Sequence, residues 1–225
     1  VLCGPTILRR LRYYAAVRAT AAGHSILLAR TGYTGEDGFE LFCGAEDAVD
    51  LWTVITERAA ALAPQAGQND ESGNPIPVLT PCGLAARDSL RLEAGMPLYG
   101  HELTEETTPY DASLGAVVKL DKPEFVGKQA LVARAARDGA PGTLRLVALV
   151  GEGRRAARAG CTVFDQEGRR VGTITSGLLS PTLGHPIALA LLEPASPEEP
   201  QWAEGTSLDV DVRGRTYPMR VVAAP

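Results

Sequence analysis

Glu40 and Phe42 alternate along Phe39–Cys43, a short run that follows the Gly- and acid-rich turn Thr31–Gly38 (TGYTGEDG). Side chains two apart on a strand share a face, so the alternation sets a carboxylate beside an aromatic ring, with Phe39 and Leu41 on the opposite face, and aims the pair away from the solvent-facing turn. Further along, Arg87 and Arg91 lie one turn apart in the Ala-rich stretch GLAARDSLRLEAG. Cationic groups among small apolar residues are costly to bury unless anions meet them. These residue types bind and orient charged or hydrogen-bonding groups. Other chemistries have less support. His24, His101 and His185 are far apart and have no serine or cysteine nucleophile motif beside them, which argues against a hydrolytic triad. Gly32, Gly35 and Gly38 are spaced like a phosphate loop but precede a strand rather than a helix. Cys3, Cys43, Cys82 and Cys161 form no metal-binding spacing and read as reduced, mostly buried thiols of a reducing compartment. Glu36 and Asp37 read as turn formers at a hairpin tip.

The elements that position these residues follow from local pattern. Ser25–Arg30 (SILLAR) and Phe39–Cys43 form the two arms of a β-hairpin. Glu46–Ala61 has apolar residues at Val49, Trp52, Ile55 and Ala59, a helical spacing, and acids in its first turn; it is expected to pack on the hairpin sheet. Pro64–Pro77 reads as a surface loop. The central helix is expected to start at Thr80–Pro81, run to about Ala94 and stop at Gly95, with an ordered turn through Pro97, Tyr99, Gly100 and His101. Leu90 belongs to its apolar side, and Arg91 and Glu93 are read as structural. Val1–Pro5 reads as the end of a strand, Ile7–Tyr14 is too short to assign, Asp111–Leu120 reads as a buried strand and Lys128–Arg137 as a helix.

Beyond Asp138–Thr143 (DGAPGT) the pattern changes to strands alone, at Leu144–Val150, Cys161–Phe164, Arg170–Thr175, Ile187–Leu192, Ser207–Val212 and Thr216–Val222. Asp165–Gly168 and Arg213–Gly214 read as hairpin turns. The fold class is therefore α+β: a mixed domain over residues 1–137, then a small antiparallel barrel or sandwich over 138–225.

With 225 residues, 45% hydrophobic and 22% charged, the chain has ample material for a core. A net charge of −5 with both signs interspersed gives no basic footprint for nucleic acid or a membrane surface, and no apolar run is long enough to span a bilayer. The chain opens on Val1, shows no signal or transit peptide, and reads as the middle of something longer.

Taken in order, ARTGYTGEDGFEL, GLAARDSLRLEAGMPLYGHEL with TEETTP, VKLDKPEFVGKQAL, VGTITSGLLSPTLG and IALALL resemble the T-protein (aminomethyltransferase) family of the glycine cleavage system. The resemblance covers nearly the whole chain, as the latter part of a longer protein. It implies a partial folate-binding α+β domain followed by a β-barrel. It also implies transfer of the one-carbon unit from the aminomethyl-lipoyl arm of the H-protein to tetrahydrofolate as co-substrate, with release of ammonia and no metal. The compartment would be the bacterial cytoplasm or the mitochondrial matrix. The family's pterin-contacting residues fall on Tyr33, Glu40 and Arg87, with Tyr99 a weaker candidate. A carboxylate can accept paired N–H bonds from a 2-amino-4-oxo pterin edge while an aromatic covers the ring face, and Arg87 can bond to the folate or orient Glu40. The alternative for Arg87 is a structural pair with Asp88 or another carboxylate; for Glu40 it is a solvated strand acid. The family's essential aspartate is expected upstream of Val1, so no catalytic residue is assigned. A folate-dependent demethylating relative, and a non-catalytic folate-binding or scaffold protein of the same fold, are the other readings.

Overall fold

The computed structural model describes residues 4–66, 69, 73, 76–137, 143–194 and 202–224. The chain forms two compact units, Val1–Arg87 and Asp88–Pro225.

In the first unit, Pro5 opens a short helix, α1 (Pro5–Arg10), where a missing N–H costs nothing and the fixed φ is already helical. This replaces the strand end expected at Val1–Pro5, of which residues 1–3 lie outside the described residues. Strands β1 (Ala16–Ala21), β2 (His24–Ala29) and β3 (Glu40–Phe42) form an antiparallel sheet in that order. β2 and β3 are the arms of the expected hairpin. β1 is additional, joined to β2 through Ala22 and Gly23, both at positive φ. That is a two-residue turn of the kind that matches strand twist, though without the Asn-Gly pair that would announce it. Helix α2 (Ala48–Ala66) follows a single 3-10 turn, Ala45–Asp47.

The small core of this unit gathers Ala21, Ile26, Leu28 and Leu51, with Ile7, Leu8 and Leu11 of and beside α1 packed against it. Leu51 therefore marks the buried side of α2. Val49 and Trp52, expected on that side, are exposed, Trp52 at 57%. The cause is electrostatic: His24 of β2 lies between Asp47 (Nδ1 to Oδ1, 2.8 Å) and Asp50 (Nε2 to Oδ2, 2.6 Å). Residues 47, 50 and 51 share a helix face, so anchoring the two acids on the sheet turns Leu51 inward and Val49 and Trp52 outward. The other face of the sheet carries Leu27, Glu40 and Phe42, all exposed, with Leu27 directly opposite Phe42. Glu40 and Phe42 do share a face, but it is open to solvent. The end of the expected Pro64–Pro77 loop nearest α2 is helical to Ala66, and most of the remainder lies outside the described residues.

Helix α3 (Leu84–Glu93) starts three residues later than expected: Gly83 takes the capping position in place of Thr80, its carbonyl accepting Arg87 N–H at 3.2 Å. Its end agrees with the sequence. Gly95 adopts φ 66°, Met96 N–H reaches back to Arg91 O at 2.8 Å and Gly95 N–H to Leu92 O at 3.0 Å, a left-handed glycine stop. Leu92 is the buried leucine of this helix and Leu90 is half-buried.

In the second unit, Asp111–Leu120 is not a strand. Ser113 stands at positive φ and Gly115–Val117 forms a 3-10 turn. The Asp111 carboxylate holds the segment in place, accepting Thr108 N–H (2.9 Å) and Arg134 (2.5 Å). Arg134 comes from helix α4 (Lys128–Ala135). The proposed boundary at Asp138–Thr143 lies, Thr143 apart, outside the described residues.

All six expected strands are present: β4 (Arg145–Gly151), β5 (Thr162–Phe164), β6 (Arg170–Leu179), β7 (Pro186–Leu192), β8 (Ser207–Asp211) and β9 (Thr216–Val222). They close into an antiparallel barrel in the order β4-β7-β6-β5-β8-β9. Leu208 and Val210, two apart on β8, fill the interior with Val163, Val171, Ile174 and Val221. β7 is apolar throughout because both faces are covered: Ala188, Ala190 and Leu192 point inward, while Ile187 and Leu189 pack outside with Leu92. Of the cysteines, Cys43 and Cys161 are half-buried and Cys82 is exposed, all three free, so the expected burial is not found; Cys3 lies outside the described residues.

Candidate functional site

The loop between β2 and β3 is braced at its base. Arg30, at the end of β2, grips Asp37 through Nε and Nη2, both at 2.8 Å, and donates to Leu11 O at 2.9 Å. The hydrogen bonds from Arg30 hold the Asp37 carboxyl below its usual range. A bidentate pair of this kind fixes direction as well as distance, so the intervening residues are presented as an ordered loop. Asp37 is thus a brace rather than an acid in waiting.

From this loop Tyr33 meets Arg87: the guanidinium carbon lies 4.4 Å from the ring centroid. The planar guanidinium stacks well on an aromatic face. Arg87 is not paired with Asp88, whose carboxylate is bound instead to Arg91 (Nε to Oδ1, 2.8 Å). On β3, Glu40 accepts a short hydrogen bond from Thr31 Oγ1 at the start of the loop. That bond occupies Oε2 and steadies the carboxylate on the open sheet face. The first unit therefore brings Tyr33 and Arg87 into contact and ties Glu40 to the same loop. Thr31 had no signal of its own in the sequence, because a threonine two residues before a tyrosine marks nothing until the strand returns beside it.

Tyr99 belongs to the second unit. It is 70% exposed, at the tip of a turn closed by Glu102 N–H to Leu98 O at 3.0 Å and Gly100 N–H to Leu103 O at 2.7 Å. The turn rests on a buried charge network. Arg91, 1% exposed, donates to Asp88, to Met96 O (3.2 Å), to Glu102 Oε2 (3.2 Å) and to Ser176 Oγ (2.8 Å). Glu102, fully buried, also accepts Leu98 N–H at 2.8 Å. Ser176 reaches Arg91 because β6 carries an irregularity between Ile174 and Ser176, which re-aims the chain there. Glu93 likewise binds Thr182 through N–H (3.1 Å) and Oγ1 (2.8 Å), and Ser180. Burial opposes its ionisation, but these bonds together hold the carboxyl below its ordinary value. Arg91 and Glu93 are internal fasteners, as their types had suggested. Among the described residues no group of three His, Cys, Asp or Glu side chains is placed to hold a metal ion.

Family comparisons agree with this architecture. Residues 4–122 match the GCVT N-terminal domain and residues 145–225 the glycine cleavage T-protein C-terminal barrel domain. The chain belongs to the glycine cleavage T-protein family. It is 48% identical to an aminomethyltransferase of Saccharopolyspora erythraea over 98% of its own length and 54% of that protein's. It is 49% identical to the aminomethyltransferase of Streptomyces coelicolor, over 96% and 53%. Among solved structures it resembles the glycine cleavage system aminomethyltransferase T of Bartonella henselae, at a TM-score of 0.75 and 32% identity, covering 96% of this chain and 53% of that one. The chain thus spans about half the length of the relatives it matches. No helix among the described residues is long and apolar enough to cross a membrane.

Proposed function

We propose that this chain serves an aminomethyltransferase of the glycine cleavage system, moving a one-carbon unit from the aminomethyl-lipoyl arm of the H-protein to tetrahydrofolate and releasing ammonia. Its setting would be the bacterial cytoplasm or the mitochondrial matrix. The observation that carries the reading is the stack of Arg87 on Tyr33 beside the loop that also holds Glu40. In this reading Glu40 accepts N–H bonds from the 2-amino-4-oxo edge of the pterin, Tyr33 covers its ring, and Arg87 both orients Tyr33 and meets the anionic folate. Tyr99 is a further proposed contact, on the family resemblance alone. The division into a folate-binding part, 1–137, and a barrel part, 138–225, belongs to the same proposal. No residue is proposed for proton transfer, and no metal is given a role.

The test is tetrahydrofolate calorimetry on the 225-residue chain and its Glu40→Gln variant. Loss of a charge-assisted bond should weaken binding by about 1–3 kcal/mol. Equal affinity in the two proteins removes Glu40 from the site, and no binding by the unaltered chain overturns the reading that this chain carries a folate site. Transfer is then read as methylenetetrahydrofolate formed from aminomethylated H-protein.

A further inference from the structure

Residues 152–160 read EGRRAARAG, a basic run to which the proposed transfer reaction gives no role. It follows β4, and together with the β8–β9 turn it lines a concavity of about 640 Å³ formed by Arg154, Arg155, Ala156, Arg158, Leu179, Val212 and Arg213. Four guanidinium groups share one cavity in a protein whose net charge is −5, and no lining residue is acidic. Like charges so gathered repel one another and raise the local concentration of anions.

The cations are not consumed by internal partners. Among the described residues Arg154, Arg155 and Arg213 have no hydrogen-bonded or ion-paired partner, and Arg158 donates only to a backbone carbonyl, Gly177 O at 3.1 Å. Asp211, the acid of the adjoining turn, is turned back to accept Gly214 N–H at 2.6 Å. The contrast with Arg91, whose every direction is met by an acceptor, is complete.

The cavity is also built in advance. Ala157 is buried and lies so close to β6 that a Cβ on Gly177 would come within 2.6 Å of Ala157 O. Gly160 N–H bonds to Ile174 O at 2.8 Å, so the arginine-bearing loop is locked to the barrel at both ends of its second half. Arg213 stands at φ 58°, in a turn position that Asn or Gly would occupy with less strain. Leu179, Val212 and Ala156 add apolar surface. A cavity of this size suits a small molecule rather than a protein surface, and a preformed one keeps the ordering cost of binding low.

We infer that this cavity on the barrel binds a small organic anion carrying at least two carboxylate or phosphate groups on an apolar body. Guanidinium forks match the geometry of both groups, and the apolar surface takes the rest of the ligand.

Calorimetry of the full chain with benzene-1,3,5-tricarboxylate and with pyrophosphate tests this, alongside an Arg154→Ala/Arg155→Ala double variant and an Arg213→Asn variant. Asn tolerates the left-handed turn, so the second variant removes charge without threatening the fold. Saturable binding of either anion is expected, weakened at least about tenfold by the double variant, as the loss of charge-assisted bonds requires, and weakened again as salt rises from about 50 to 200 mM. Tighter binding of the tricarboxylate assigns a carboxylate ligand; tighter binding of pyrophosphate assigns a phosphate. Absence of binding, or binding equal in all three proteins, overturns the inference, as does binding of a tetraglutamate peptide without either small anion, which would point to an acidic protein partner. Because the test does not involve tetrahydrofolate, its outcome is independent of the folate proposal.

Discussion

Arg87 and Arg91 stand one turn apart on the same helix, yet one belongs to a unit built on an open sheet and the other to a unit built on a closed barrel. In the barrel unit every strand is paired on both sides, strand edges disappear, and charges that enter are enclosed: Arg91 and Glu102 are withdrawn from water and committed to each other. In the sheet unit, among the described residues, β1 and β3 each pair on one side only, one face carries exposed Leu27, Glu40 and Phe42, and Arg87 lies over a tyrosine instead of a carboxylate. Two identical residues in one motif thus have opposite uses. Closure consumes polar groups as structure; on the open sheet unit Glu40 and Arg87 keep their exposure.

The comparison breaks most severely if Arg91→Met is tolerated. Removing the cation leaves Glu102 buried and uncompensated, which should cost about 3–5 kcal/mol in urea unfolding, whereas Arg91→Met/Glu102→Leu should recover much of it. A loss below about 1 kcal/mol would mean the pair is solvated after all. Next in size, Leu92→Ala empties the cluster outside the barrel and should cost about 2–5 kcal/mol, with half-buried Leu90→Ala costing less. Equal losses would show that α3 faces the barrel differently. Arg87→Ala removes one exposed cation–π contact and should change stability by only about 0.5–1 kcal/mol while weakening folate binding; a larger loss of stability would make Arg87 a fastener like Arg91.

The smallest effects are in pH. Hydrogen bonding to Asp50, with help from Asp47 and against desolvation, raises the His24 pKa above its ordinary 6.5. Its contribution is full below that value and is lost as pH rises through the higher folded pKa, so the melting temperature of the first unit should fall slightly on the alkaline side, and less so in His24→Gln. In the barrel unit burial pushes the Asp111 carboxyl up, but bonds from Thr108 and Arg134 outweigh it and the pKa falls below 3.8. That contribution is lost as pH drops through the folded pKa, and Asp111→Asn should flatten the acid limb.

The barrel was legible because each strand carries its own alternation and turn residues, and the Gly95 stop because a single residue type solves a backbone problem. The loop that carries Tyr33 and Asp37 was legible as a turn, and Glu40 as a residue of the strand that returns from it. What its charges bind was not, since Arg30, Thr31 and Arg87 meet them only after the strands pair. β1 was hidden by alanines, which favour helix and carry little pattern. Asp111–Leu120 was misread because a buried apolar run has no period of its own, and a carboxylate held by Thr108 and Arg134 decided its path.

By itself, then, the sequence determined where the barrel strands, their hairpin turns and the Gly95 helix stop fall, because these depend on neighbours within a few residues. The tertiary structure alone decided the rotation of α2, set by His24 between two aspartates, and the fates of Arg87 and Arg91. Those outcomes depend on which partner arrives from a distant segment, and the energies of burial and pairing exist only once it has.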